Sequence, residues 1–362
     1  MLKSSRFWLG AGLSLIFIVL FFYRVDLKEV GRALAQANYL WIIPGVALYF
    51  LALGLRALRW RVVLKPLGSF PILRLWRVLA VGYMANNLLP VRLGELVRAY
   101  YLKQRENVGM AAGLATIVVE RAFDGLALIV VGIAGLYLAF SPELLQRISE
   151  TSGVSWIALA SLIALPFVAA FSVLLTLAFW GDRLIGLAVR RRLIFLPKTL
   201  RLRLESLALL FVQGLATLRT ARGLLLVLIL SLLVWLAEAA MYFTIAFSFG
   251  LDTLFTSWWS LGAGILVATA LSNLATSLPS TGGGVGPFEF FVKVALVSLG
   301  VAAPLAAAYA VVLHVALLAP VTLLGLVYLW SGNLSLAQVT RRSQAAGMGQ
   351  EVKGAVAGGD LK

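Results

Sequence analysis

Twice in this chain an apolar stretch is cut by the same kind of segment. Asn86-Asn87-Leu88-Leu89-Pro90-Val91-Arg92-Leu93-Gly94-Glu95 and Asn273-Leu274-Ala275-Thr276-Ser277-Leu278-Pro279-Ser280-Thr281-Gly282-Gly283-Gly284-Val285-Gly286-Pro287-Phe288-Glu289 each run from Asn through Leu-Pro and Gly to Glu. Lipid satisfies no backbone N–H or C=O, so non-helical backbone at bilayer depth persists only where protein or a wet cavity satisfies it. Paired breaks at matching places in two halves of a chain point to a substrate site.

That bilayer is required by composition. Of the 362 residues, 61% are hydrophobic and 13% charged, and the mean hydropathy is +0.97, far from the balance of a soluble domain. A spanning helix needs about 20 apolar residues, which places full spans near 7–23, 39–56, 110–140, 156–180, 223–249 and 305–330. Regions 72–105 and 257–301 carry the breaks and are too interrupted to cross as single helices. The expected fold is an all-α polytopic membrane helix bundle of six full spans plus two re-entrant hairpins. The first run is read as a retained helix, because bulky, charged Tyr23-Arg24-Val25-Asp26-Leu27 follows it instead of a small-residue cleavage site.

The absence of cysteine excludes disulfides and thiolate metal sites, and the single His314 excludes a multi-histidine metal site. No metal or cofactor is expected. The formal charge of +16 suits anionic lipid headgroups, since the bases sit beside apolar runs; nucleic acid is not an expected partner.

Orientation follows from Lys and Arg in short loops. Loop 181–222 holds Arg183, Arg190, Arg191, Arg192, Lys198, Arg201, Arg203, Arg219 and Arg222 against Asp182 and Glu205, and is predicted cytoplasmic. Loop 141–155, with Arg147 against Glu143 and Glu150, and loop 250–256, with Asp252, face out. Both termini fall on the cytoplasmic side, as Lys3, Arg6, Arg341 and Arg342 require. The count closes when hairpin 72–105 enters from the cytoplasm and hairpin 257–301 from outside. Residues 39–140 and 223–330 are then candidate inverted repeats within a membrane domain 1–330. The plainer alternative makes 257–278 and 288–301 ordinary short spans. The tail 331–362 is predicted to be a disordered cytoplasmic segment.

Charges inside spans mark pathways or sites. Glu120 and Asp124 share a helix face at i, i+4, and Arg121 stands i, i+3 from Asp124. Arg92 and Arg98 of the first hairpin are the cations expected to balance them; a helix-end ion network that only anchors the hairpin is the alternative. Gly282, Gly283, Gly284 and Gly286 precede Pro287, so their backbone N–H groups converge at a helix N-terminus suited to phosphate, with Ser280 and Thr281 beside them. A tight hairpin tip or close helix crossing explains the glycines equally. Glu289 lies in that helix's first turn, i, i+4 before Lys293. Arg56, Arg59, Arg61 and Lys65 with Trp60 read mostly as an interfacial anchor, with Arg56 and Arg59 best placed to fork a lipid phosphate. Glu238 must pair across helices, face water or be protonated. His314 is expected to hydrogen-bond between helices. Asn86, Asn87 and Asn273 line a polar cavity or cap the broken helices.

These pieces resemble the lysylphosphatidylglycerol synthase transmembrane-region family, also described as the flippase-like domain family. Arg56-Ala57-Leu58-Arg59-Trp60-Arg61, Asn87 through Arg98, Glu120-Arg121-Ala122-Phe123-Asp124 and Pro279 through Glu289 occur in family order. The resemblance implies a membrane region that moves an aminoacylated phosphatidylglycerol made by a separate cytosolic domain, and this chain is expected to lack that domain. By the same resemblance, some stand-alone relatives are associated with polyprenyl-linked sugar or hopanoid pathways.

The expected function is therefore translocation of an anionic, phosphate-bearing lipid, such as a modified phospholipid or a polyprenyl-phosphate-linked lipid, without enzyme activity, in a prokaryotic cell (inner) membrane. Arg56, Arg59, Asn87, Arg92, Glu95, Arg98, Glu120, Arg121, Asp124, Ser280, Thr281, the four glycines and Glu289 are the candidate headgroup site. Glu238 and Glu289 are candidates for ion or proton coupling. Alternatives are a non-transporting partner presenting lipid to a glycosyltransferase or lipid synthase, and a small-anion transporter.

Overall fold

A computed structural model describes residues 5–89, 93–139, 156–191, 198–278 and 280–331. These residues form α1 (Ser5–Phe22), α2 (Leu27–Gln36), α3 (Ile42–Leu64), α4 (Ile72–Leu88), α5 (Gly94–Glu106), α6 (Met110–Ala139), α7 (Trp156–Arg191), α8 (Lys198–Gly214), α9 (Ala221–Ala246), α10 (Trp258–Ala275), α11 (Pro287–Val297) and α12 (Ala303–Ser331), joined by short 3₁₀ turns. The fold is an all-α polytopic membrane bundle. Tyr39–Leu67, Met110–Ala139, Ala221–Phe249, Trp258–Ala275 and Ala303–Ser331 are long and apolar enough to cross a bilayer. The bent pair Trp8–Phe22 and Leu27–Gln36, kinked by 83°, makes a sixth candidate span. Its kink follows Arg24 in a left-handed conformation (φ 56°), and Asp26 then caps α2 by accepting from the Lys28 N–H at 2.8 Å.

Both interrupted regions are helix–break–helix units. The first breaks between α4 and α5, the second between α10 and α11. The second arms are short: α5 has 13 residues and α11 has 11, about 20 and 17 Å of helix against a hydrocarbon core of about 30 Å. The first arm of the second unit, α10, by contrast has the length and apolarity of a full span.

Helices α3–α6 and α9–α12 follow the same order, and their packing is crossed. Helix α3 lies along α9, α4 packs on α12, and α10 packs on α6, so exchanging the two halves maps the arrangement onto itself. A glycine sits at each crossing. A Cβ at Gly135 of α6 would stand 2.9 Å from the Ala263 carbonyl oxygen of α10, and one at Gly325 of α12 would stand 2.7 Å from the Ala80 carbonyl oxygen of α4. Missing side chains at these two points let helix backbones touch, the usual basis of tight association in membranes.

Three expectations need correction. Segment 181–222 is mostly helix: α7 continues to Arg191 and α8 packs on α6 and α7, because Val212, Leu215 and Leu218 are buried there. Trp60 is not an interfacial anchor; it is fully buried and donates to Thr116 Oγ1 at 3.0 Å. Arg56 and Arg59 are likewise buried, not part of a surface anchor. Arg92, loop 141–155 and the tail 332–362 lie outside the described residues.

Candidate functional site

The two broken segments meet. A Cβ on Gly282 would lie 2.6 Å from the Asn87 carbonyl oxygen, and one on Gly283 would press on Leu318 at 3.1 Å and the Asn87 backbone at 3.9 Å. Gly283 and Gly284 hold φ of 74° and 81°, a backbone that side-chain-bearing residues rarely adopt. Asn87 fixes its own side of the junction, donating to Thr322 Oγ1 at 2.9 Å on α12. Asn273 does the same on the other side, donating to Tyr242 Oη on α9 and to the Thr269 carbonyl, both at 2.9 Å.

Between the tips lies a cavity of about 340 Å³. Tyr49 and Arg56 of α3, Tyr83, Asn86 and Asn87 of α4, Glu95 of α5, and Arg121 and Asp124 of α6 wall one half. Trp235 and Glu238 of α9, Asn273 of α10, Ser277, Ser280, Thr281, Gly283 and Gly284 of the second break, Phe288 of α11 and His314 of α12 wall the other.

The charges around the cavity are already matched. Arg56 Nη2 donates to Glu238 Oε2 at 2.5 Å, with its guanidinium 5.1 Å from the Trp235 ring. Arg59 Nη1 donates to Asp124 Oδ1 at 2.6 Å and to Ser231 Oγ at 2.9 Å. Trp235 Nε1 donates to the same Asp124 oxygen at 3.1 Å. Arg98 donates to Glu120, its guanidinium 3.6 Å above the Trp60 ring. Arg121 Nε stands 3.2 Å from Glu95 Oε1, and its Nη1 is 3.6 Å from Asp124 Oδ2. Four arginines thus face four carboxylates, as burial of charge in a bundle demands. Only the Arg121–Glu95 pair is loosely held, with side chains 35% and 30% exposed against 6% or less for the other three arginines.

At the second tip, Glu289 Oε2 accepts the Gly286 N–H at 2.8 Å and Oε1 lies 2.5 Å from His314 Nδ1. His314 Nε2 reaches the Gly283 carbonyl at 3.0 Å. Helix α1 ties down the same loop from outside: Ser14 Oγ accepts the Thr281 N–H at 2.9 Å.

The profile of the lysylphosphatidylglycerol synthase TM region matches residues 7–325. The chain belongs to this family. Among curated proteins it is 26% identical over 347 residues to a UPF0104 membrane protein of Methanothermobacter thermautotrophicus, covering 90% of this chain and 93% of that one. A UPF0104 membrane protein of Methanocaldococcus jannaschii matches at 27% over 207 residues, 57% of this chain and 75% of that protein. The glycosyltransferase AglD of Haloferax volcanii matches at 31% over 134 residues, 36% of this chain and 20% of AglD; the chain thus spans about a fifth of that relative.

In this lysylphosphatidylglycerol synthase-type membrane region, the sequence-predicted residues separate into two groups. Arg56, Asn87, Glu95, Arg121, Asp124, Glu238, Ser280, Thr281, Gly283 and Gly284 line the cavity. Gly282, Gly286 and Glu289 stand outside its lining, as do Arg59, Arg98 and Glu120, which are nearly inaccessible and consumed by ion pairs. For Arg98 and Glu120 the anchoring network, the alternative reading of the sequence, describes the geometry. Arg59 offers no fork to a phosphate, because Asp124 and Ser231 hold it. Of the three alternatives for Glu238, pairing across helices is the one seen, and His314 bonds between helices as expected.

Two expectations for α11 change. Glu289 does not pair with Lys293, whose Nζ instead donates to the Leu20 and Phe21 carbonyls of α1 at 3.1 and 2.5 Å. The α11 N-terminus is not an open phosphate cradle either. Glu289 itself caps Gly286, and the Gly284 N–H is spent on the Thr281 carbonyl at 3.2 Å, so a carboxylate already occupies the place that a helix dipole offers to an anion. Tyr49, Tyr83 and Trp235 are among the lining residues that the sequence did not single out; each sits in an apolar run, where an aromatic carries no signal of facing water.

Proposed function

We propose that the chain translocates a phosphate-bearing lipid, with the headgroup passing through the cavity where the two broken segments meet. That meeting, at a polar chamber between two halves packed in the same crossed pattern, is the observation that supports the reading. In this reading the halves are inverted repeats, α4–α5 and α10–α11 are re-entrant hairpins entering a prokaryotic cell membrane from opposite sides, and both termini are cytoplasmic. Arg121 receives the phosphate. It is the most exposed arginine of the network, and a phosphate can displace Glu95 and satisfy the guanidinium bidentately. Arg56 stands behind it on the same wall, and Asn86, Asn87, Asn273 and Ser280 offer donors and acceptors to the rest of the headgroup. No chemistry on the lipid is assigned to the chain.

Proteoliposome scrambling of a labelled anionic phospholipid tests this. Arg121→Gln is expected to slow scrambling by about tenfold or more, the loss of one charge-assisted bond of about 1.5–3 kcal/mol, while the protein elutes and unfolds as wild type. Equal rates in wild type, variant and empty liposomes would overturn the proposal. The partial match to a protein named glycosyltransferase favours one other reading, a partner that presents lipid to an enzyme. Lipid movement only after such an enzyme is added would select it.

A further inference from the structure

The one histidine of the chain closes a hydrogen-bond chain whose proton count is fixed by its geometry. Gly283 contributes a carbonyl oxygen, which only accepts, so His314 Nε2 at 3.0 Å must carry hydrogen. The Nδ1 to Glu289 Oε1 separation of 2.5 Å then sets an imidazole nitrogen against a carboxyl oxygen, and two lone pairs do not share that distance. A second proton must lie between them, on either atom. Glu289's remaining oxygen is engaged by the Gly286 N–H at 2.8 Å. Gly283 is therefore tied to α12 by the Nε2 hydrogen, and Gly286, through Glu289, by the second proton.

The surroundings leave that proton exchangeable. His314 lines the cavity, its ring stacked on Phe288 at 4.2 Å. The other ionisable groups facing this side are spoken for. On α11, Lys293 turns to the α1 carbonyls. On α9, Tyr242 reaches Ser272 and Asn273, and Glu238 binds Arg56 of α3. Across the cavity, Arg121 and Asp124 of α6 and Glu95 of α5 pair with one another, beside the phenols of Tyr49 and Tyr83. Lys28, Glu29 and Arg32 of α2 and Arg74 and Arg77 of α4 are exposed on the outer surface.

We propose that His314 and Glu289 form a proton-binding site that latches the glycine tip closed. Loss of the proton from the Nδ1–Oε1 contact to cavity water leaves a carboxylate facing an imidazole lone pair; the two repel, α12 lets go of Glu289 and of the Gly286 end it caps, the Nε2–Gly283 bond alone remains, and the tip opens onto the cavity. The site stands on its own geometry, and it deepens the translocation reading because the tip it controls walls the headgroup chamber.

Two measurements test the latch without transport. With a single histidine, selective ¹⁵N-histidine labelling in nanodiscs yields one imidazole. Followed over a pH series, Nε2 is expected to stay protonated while Nδ1 loses its proton in one step. With no native cysteine, Ser280→Cys is labelled at one place, and its reaction with a water-soluble methanethiosulfonate, corrected for the thiolate fraction, is expected to accelerate through the same step. Glu289→Gln keeps the Gly286 cap and donates an amide hydrogen permanently to Nδ1, so in this variant both the Nδ1 step and the acceleration should vanish. An unprotonated Nε2, or a Glu289→Gln variant that titrates and opens like wild type, would overturn the latch. A wild type that shows the step and the acceleration yet moves no lipid supports the latch and overturns translocation instead.

Discussion

The Arg98–Glu120 pair separates a structural ion pair from a binding one. Both side chains are about 95% buried or more and neither lines the cavity. Glu120→Leu strands the Arg98 guanidinium over Trp60 with no carboxylate among its described partners, and removing one member of a buried pair costs about 3–5 kcal/mol. Arg98→Met loses the cation–π contact, about 2 kcal/mol when desolvated, but leaves Glu120 with Arg59 at 3.6 Å. Its cost falls at the lower end, about 3 kcal/mol. Additivity would make the double variant less stable by about 6–8 kcal/mol. Replacing a whole buried pair by apolar side chains of similar volume is instead close to neutral, so Arg98→Met/Glu120→Leu should lose no more than about 2 kcal/mol and show a coupling of at least about 4 kcal/mol. Reversible unfolding in mixed micelles, followed by tryptophan fluorescence, measures all four corners of the cycle, and scrambling by the double variant should match wild type. A coupling below about 0.5 kcal/mol, the scatter of independent sites, would refute the pairing. A double variant that unfolds like wild type yet moves no lipid would return these residues to the site.

Gly282→Ala should pry the tips apart, since its Cβ would meet the Asn87 carbonyl at 2.6 Å; a loss of about 1–3 kcal/mol and slower scrambling are expected, whereas Gly12→Ala, with nothing within 4 Å, should not slow scrambling. Lys293→Met should loosen α1, because the ammonium holds the Leu20 and Phe21 carbonyls at that helix's C-terminus. Hydrogen exchange over residues 10–22 is expected to speed about tenfold, the equivalent of 1.4 kcal/mol; unchanged exchange would show that Ser14 and the tilted ring contacts of Phe17 with Phe290 and Phe291, at 5.3 and 5.8 Å, suffice.

Much of this was legible because a membrane chain declares its exceptions. Apolar runs announce spans, and a Pro-Gly break or a charge inside one stands out against them. Glu120, Asp124, Glu238 and His314 were visible for that reason, as were both breaks. Some partners were visible too, Arg98 of the first hairpin for Glu120 and Arg121 for Asp124; others were not. Arg59 reads as a surface anchor because it sits beside Arg61 near a helix end, yet α9 and α6 bring Ser231 and Asp124 to it from 172 and 65 residues away. Lys293 stands at the right spacing for Glu289, but both side chains find closer partners on other helices. Local spacing ranks the pairs available within one helix, and in a bundle the neighbouring helix competes for every one of them.

The sequence by itself determined that this chain lives in a bilayer, where its most apolar runs lie and where two of them break, because hydropathy is a local property; it left the mostly helical segment 181–222 as a loop. Only the tertiary structure decided that the two breaks touch, which arginine is buried and which faces the cavity, and that the α11 N-terminus is capped by its own Glu289. Those outcomes depend on crossings such as Gly135 on α10 and Gly325 on α4. A missing side chain there sets the approach of helices distant in sequence, and with it the partner that each buried charge must find.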